Sequence, residues 1–207
     1  IACFRRGGSL SLLDYDGFEV FWDGMESLRV RDNEFTVAVD PKTGSSPNFE
    51  AAIVLVTSED ENDFDARKIQ EVCGRGTCVV LPEGLEDLNV PCPDVEFLRP
   101  GEALDIYSVE IKAVETSDGL AYRFNMRGTS FFVSGDTCDI NEVIRLENSV
   151  NLAFFSTSEN TDMDEIVRNA VRIKPDAVFP YLYREDRGLD GFKAELEDRN
   201  IDCIVER

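Results

Sequence analysis

The chain has no histidine among its 207 residues. Imidazole is the side chain most used for general acid/base work near neutral pH, and the commonest metal ligand. Its absence excludes serine–histidine nucleophile pairs, ordinary zinc-hydroxide centres and two-histidine iron sites. Lysine is scarce too: 16 of the 21 basic residues are arginine and five are lysine. No apolar run approaches the roughly 18–20 residues of a membrane span, so a soluble protein with no membrane partner is expected. No secretory leader is expected either. Arg5-Arg6 precedes Leu10-Ser11-Leu12-Leu13, but that run is short and Asp14 interrupts it. A cytoplasmic location is therefore expected. The six cysteines include no CxxC pair. Cys73 and Cys78 flank Gly74-Arg75-Gly76, which reads as a turn. Free, buried thiols in a reducing compartment are the expectation.

What the chain has in excess is acid. Asp and Glu number 42, giving a net charge of −21, and they are dispersed rather than gathered in a tail. Such a surface resembles the proteins of salt-in halophiles, and a halophilic archaeon is the expected source. Near molar salt the screening length falls to about 3 Å, so like charges repel little and stay hydrated. The same balance excludes nucleic acid, which requires a cationic face.

With 43% hydrophobic residues the chain can build a sizeable core. A single domain over 1–207 is expected, with 1–16 as an irregular extension or a tag. Alternation predicts strands at 17–22, 27–31 and 35–39, with Asp32-Asn33 as a hairpin turn. The run AAIVLV at 51–56 predicts a strand buried on both faces. Residues 57–63 are a polar loop, and Asn62 is placed to cap a helix over 63–73. Further strands are predicted at 78–81, 95–98, 108–115, 121–125, 129–133, 150–155, 177–180 and 201–205. Helices are predicted at 139–145, from Thr161 or Asp162 to 173, and at 189–199. Strand pairs followed by strand–helix units, twice over, suit a layered α+β fold.

Four segments carry a family resemblance. They are Trp22-Asp23-Gly24-Met25-Glu26-Ser27 with Val30 and the stretch from Phe35 to Asp40-Pro41; Ile53 through Asp63; Phe131-Phe132-Val133-Ser134-Gly135-Asp136-Thr137; and Lys174 through Tyr183. In this order the chain resembles the metallo-β-lactamase superfamily, most of all the small metal-dependent hydrolases related to ascorbate-6-phosphate lactonase. The resemblance implies a four-layer αββα sandwich with a two-metal site at one sheet edge. Metal-bound hydroxide would there attack an ester, lactone, lactam or phosphodiester.

The resemblance also shows what has changed. The family's histidine before the first hairpin is Met25. The three histidines of its loop motif are Ser58, Asp60 and Asp63, and that motif's own aspartate is Asn62. The histidine after the long central strand falls at Ser117, and the late one is Leu182. Only Asp136, the family's metal-bridging carboxylate, remains. Zinc needs three or four good donors, so the zinc site is expected to be lost and no cofactor is expected. Asp60, Asp63 and Asp136 together are the alternative, a carboxylate-only site for Mg²⁺, Mn²⁺ or Ca²⁺. Against it, Asp60 and Asp63 also read as loop acids, and Asp40 and Asp136 as turn acids. Cys138 lacks a cationic partner and reads as a structural thiol. Tyr181, Tyr183 and Arg184 read as rim packing or as a binding surface. The expected function is a degenerate, non-catalytic protein, a pseudoenzyme that binds a small molecule or a protein, including a copy of itself. The rivals are a divalent-metal hydrolase and a structural subunit beside an active paralogue.

Overall fold

A computed structural model describes residues 3–7, 10–22, 27–42, 49–135, 140, 146, 149–158, 161–181 and 189–205. The chain divides into two compact units, Ile1–Arg99 and Pro100–Arg207.

The first unit is built on an eight-stranded sheet whose spatial order follows the chain: β1 (Cys3–Gly7), β2 (Leu10–Tyr15), β3 (Phe18–Trp22), β4 (Leu28–Arg31), β5 (Thr36–Val39), β6 (Ala51–Leu55), β7 (Cys73–Pro82) and β8 (Asp94–Leu98). Strands β1 to β5 form an antiparallel meander, and β5 to β8 run parallel. The stretch expected as an irregular extension or tag thus supplies two strands. The β4–β5 turn forms where predicted. Asp32 Oδ1 accepts the backbone N–H groups of Glu34 and Phe35, both at 2.7 Å, the local bond that makes aspartate a turn former. Strand β6 is flanked by parallel neighbours, and Ala51, Ile53, Val54 and Leu55 are all buried. On β4, Arg29 is 4% exposed, its guanidinium 4.3 Å from the ring centres of both Phe21 and Phe49. The aromatic faces replace water around a charge that would otherwise be costly to bury.

Three further expectations fail in this unit. The helix α1 (Ala66–Val72) begins later than predicted, and Asp65 rather than Asn62 caps it by accepting from the Lys68 N–H. Asn62 is drawn instead to Asp60. The Gly74-Arg75-Gly76 stretch is not a turn: α1 runs straight into β7, and these residues are extended. A Cβ on Gly74 would meet the Glu50 carboxylate at 1.8 Å, so a larger residue there requires the exposed Glu50 side chain to swing aside. This extended path sets Cys73 beside Cys92, with the Cα atoms 5.9 Å apart, and the two are disulfide-bonded. The expectation of free thiols throughout is therefore corrected.

Cys78 and Cys203 are free and buried. Burial, with help from Glu96 and Asp94, pushes the Cys78 thiol up to about 11. Burial pushes Cys203 up to about 12; Lys193 opposes that rise and Glu197 adds to it. Both raised values favour the neutral thiol in the folded state, so at pH 8 both stay protonated and unreactive. Iodoacetamide at pH 8 is expected to leave both unmodified in the native protein and to label both in urea, read by peptide mass spectrometry. Labelling of either in the native state would contradict the packing described.

The second unit is built on a seven-stranded sheet in the order β15 (Asp202–Cys203), β14 (Ala177–Tyr181), β13 (Leu152–Ser156), β12 (Thr129–Val133), β11 (Leu120–Met126), β10 (Val109–Glu115), β9 (Ala103–Ile106). Strands β9 to β12 are antiparallel, and β12 to β15 are parallel. Strand β9 was not anticipated; it is a short edge strand with no buried residue. Phe124, Phe131, Phe154 and Phe179 lie on four adjacent strands as one aromatic row, with successive ring centres 5.3, 6.5 and 5.9 Å apart. The helix α2 (Met163–Ile173) starts at Asp162, whose side chain accepts the Asp164 N–H, as expected of an N-cap. Its Ile166, Val167, Ala170 and Ile173 pack with Phe132, Phe155 and Val178, and with Phe192 and Leu196 of α3 (Leu189–Glu197). The helix predicted at 139–145 lies outside the described residues but for Ile140.

Candidate functional site

The loop that follows β6 holds three of the positions carried over from the family motif, Ser58, Asp60 and Asp63. Their side chains turn toward each other and toward their own loop. Ser58 Oγ donates to Asp63 Oδ2 at 2.9 Å and accepts the Asp60 N–H at 3.1 Å. Asp60 Oδ1 accepts both the Asn62 backbone N–H, at 2.9 Å, and the Asn62 side-chain amide, at 2.6 Å. Those bonds, the backbone one first, hold the Asp60 carboxyl below the usual carboxylate range although it is exposed. Lys42 Nζ donates to the Asp63 carbonyl and ties the loop to the chain following β5.

Beneath this loop lies a residue read from sequence only as a turn aspartate. Asp40 sits at the end of β5 in the left-handed region, φ 42°. Its backbone N–H donates to the Leu55 carbonyl at 3.0 Å. Its carboxylate takes the Thr57 N–H at 2.9 Å and the Thr57 hydroxyl at 2.7 Å. One side chain thus fastens the ends of two parallel strands and sets where the loop leaves the sheet. The signal was the Asp40-Pro41 stop; the partner was not readable.

In the second unit the corresponding strand ends interlock. The Tyr181 hydroxyl donates to the Gly135 carbonyl at 2.8 Å, and the same carbonyl accepts from Ser134 Oγ at 3.0 Å. Ser134 Oγ also accepts the Ser156 N–H at 3.1 Å, and Thr157 Oγ1 donates to the Tyr181 carbonyl at 2.8 Å. Tyr181 is 1% exposed, so it belongs to this buried network and not to a surface patch. Ser117 is exposed in the turn between β10 and β11. Met25, Asp136, Cys138, Leu182, Tyr183 and Arg184 lie outside the described residues. Among the described residues no three His, Cys, Asp or Glu side chains gather so as to hold a metal ion. No described helix is long and apolar enough to cross a membrane.

Against this geometry stand the known proteins. A metal-dependent hydrolase, so described, from Parabacteroides distasonis superposes with a TM-score of 0.80 at 20% identity, covering 100% of this chain and 98% of its own. Igni18, a metallo hydrolase from the archaeon Ignicoccus hospitalis, gives 0.75 at 13% identity over 92% and 95%. CmlA, a diiron β-hydroxylase from Streptomyces venezuelae, gives 0.69 at 12% identity; the match covers 92% of this chain and 53% of that one. At such identities the likeness is one of fold. No curated protein matches the chain by sequence. The model of the beta-lactamase superfamily domain matches residues 19–181, most of the chain. Sheets, segments and match agree on the α+β fold class the motifs implied: the chain belongs to the metallo-β-lactamase superfamily.

Proposed function

We propose that this chain is a metallo-β-lactamase-fold protein that no longer hydrolyses and works by binding, its partner a small molecule or another protein. The observation that carries this reading is the 2.9 Å hydrogen bond between Ser58 and Asp63. By the resemblance both positions would be histidines aimed at metal ions; here one hydroxyl and one carboxylate are spent on each other. Asp60 is spent in the same way on Asn62. Met25 cannot replace the nitrogen donor it stands for, Leu182 brings no donor atom at all, and the chain has no histidine. This donor set does not suit a pair of zinc ions, and no hydrolytic step follows from it. Kinship with the lactonase-like small hydrolases, a cytoplasmic location and life in concentrated salt belong to the same proposal, the last supported by the net charge of −21.

The test is a turnover assay on lactone, ester and phosphodiester substrates with Zn²⁺, Mg²⁺, Mn²⁺ or Ca²⁺ supplied in turn. The expected rate is that of buffer with the same metal. Metal-dependent turnover abolished by Asp136→Ala, and by Asp60→Asn with Asp63→Asn, would replace this reading with a carboxylate-only hydrolase.

A further inference from the structure

We propose that the second unit carries a binding site for a small oxyanion, a carboxylate or a phosphate, where β12, β13 and β14 begin. The three strands are parallel, so their starts share one sheet edge, and Ser134, Ser156 and Tyr181 mark the other. The edge where the strands start holds a cleft of about 250 Å³ whose lining includes Arg123, Asn125, Ser130, Asn151, Lys174 and Asp176. It is a different place from the loop after β6, and it stands or falls independently of the reading above.

Two observations point to a ligand. Ser130 is 3% exposed, and its hydroxyl has no hydrogen-bond partner among the described residues. A buried hydroxyl left unpaired is costly, and an acceptor bound in the cleft would remove that cost once the lining shifts to uncover the oxygen, which is shut off from solvent. The second observation is Arg123, whose side chain is 16% exposed. Among the described residues its guanidinium donates one hydrogen bond, from Nε to the Ser149 carbonyl at 3.2 Å, and faces Glu110 at 3.6 Å. Glu110 is 56% exposed, so that ion pair is a weak one. Most of the planar N–H fork is left for an acceptor, and a fork of that shape matches carboxylate and phosphate oxygens.

The rest of the lining fits an anion in this position. Lys174 brings a second cation; it caps α2 in the left-handed region, φ 51°. Asn125 spends its carbonyl oxygen on the Gly128 N–H at 3.1 Å, which leaves its amide hydrogens facing outward from that bond. Asp176 is the acid of the lining, and its carboxylate is engaged by the Asn151 amide at 2.7 Å. Asn151 in turn accepts the Ser130 N–H at 2.9 Å, so the hydroxyl is held on a fixed backbone. Two cations on one cleft stand out in a chain with twice as many acids as bases.

The experiment is calorimetric titration of the native protein with inorganic phosphate and, separately, with malonate, at constant ionic strength. Saturable binding of one equivalent is expected for at least one of them; the tighter probe identifies the ligand as phosphate-bearing or as a carboxylate. Arg123→Gln is expected to weaken binding about tenfold or more. Glu110→Gln, which removes the competing carboxylate, is expected to tighten it. Should circular dichroism show Arg123→Gln unfolded, Lys174→Asn replaces it with the same loss expected, since asparagine tolerates the left-handed backbone. Failure of both probes to saturate, or an affinity unchanged by the folded variant, would overturn the proposal.

Discussion

Phe154→Ala is expected to lower the stability of the protein by about 3–5 kcal/mol. Phe154 is 1% exposed and stands in the middle of the aromatic row, between Phe131 at 6.5 Å and Phe179 at 5.9 Å. Its strand is flanked by β12 and β14 in parallel register, so neither neighbour can shift to fill the space without breaking a ladder. Removing the ring therefore loses apolar burial, leaves a cavity and ends two ring contacts at once. Urea unfolding followed by circular dichroism measures the effect as a fall in midpoint at an unchanged slope. Phe154→Leu, which keeps most of the volume, is expected to lose less than half as much. Equal losses for the two variants would contradict the packing argument.

Asp40→Ala is expected to cost about 2–4 kcal/mol, an unusual amount for a residue at a strand end. Two causes add. Two charge-assisted hydrogen bonds disappear, from the Thr57 N–H and hydroxyl, in a residue 3% exposed. Alanine must also sit at φ 42°, where aspartate is tolerated better. Asp40→Asn keeps an acceptor and the backbone preference and is expected to lose about half as much. The readout is again the urea midpoint. A second readout is amide exchange at Thr57, which should quicken in Asp40→Ala more than in a variant of equal stability elsewhere. An exchange rate that tracks global stability alone would show that Asp40 does not fasten the loop.

Much of the architecture was legible because burial leaves a periodic mark. Val37 and Val39 alternate, AAIVLV is apolar on both faces, and Ile166, Val167 and Ala170 recur at helical spacing. The first strand was not read, because CFRRG carries charge where an interior strand would carry apolar residues, and the outermost strand of a sheet needs no such pattern. The helix start moved from Asn62 to Asp65 because two residues of similar capping ability compete, and Asp60 already engages Asn62. The disulfide was unreadable for a different reason: Cys73 and Cys92 lie 19 residues apart, and only the extended course of β7 brings them together.

At the candidate site the positions were legible and their bonds were not. Spacing placed Ser58, Asp60 and Asp63 on one loop. Nothing in the spacing said that Ser58 would turn to Asp63 and Asp60 to Asn62, because that choice depends on rotamers and on the anchor Asp40 provides. The sequence does not separate rim packing from a binding surface at Tyr181; its phenol is buried against the Gly135 carbonyl. The cleft at the start of β12, β13 and β14 left no sequence signal, since its lining comes from three stretches spread over residues 123 to 176 that meet through sheet topology.

The central claim is that this metallohydrolase scaffold has lost the atoms that grip its ions. The most direct measurement is inductively coupled plasma mass spectrometry of protein purified without chelator, incubated with zinc and manganese, and dialysed. The account predicts well under one ion per chain. Two ions per chain that survive dialysis and vanish in Asp136→Ala would contradict it.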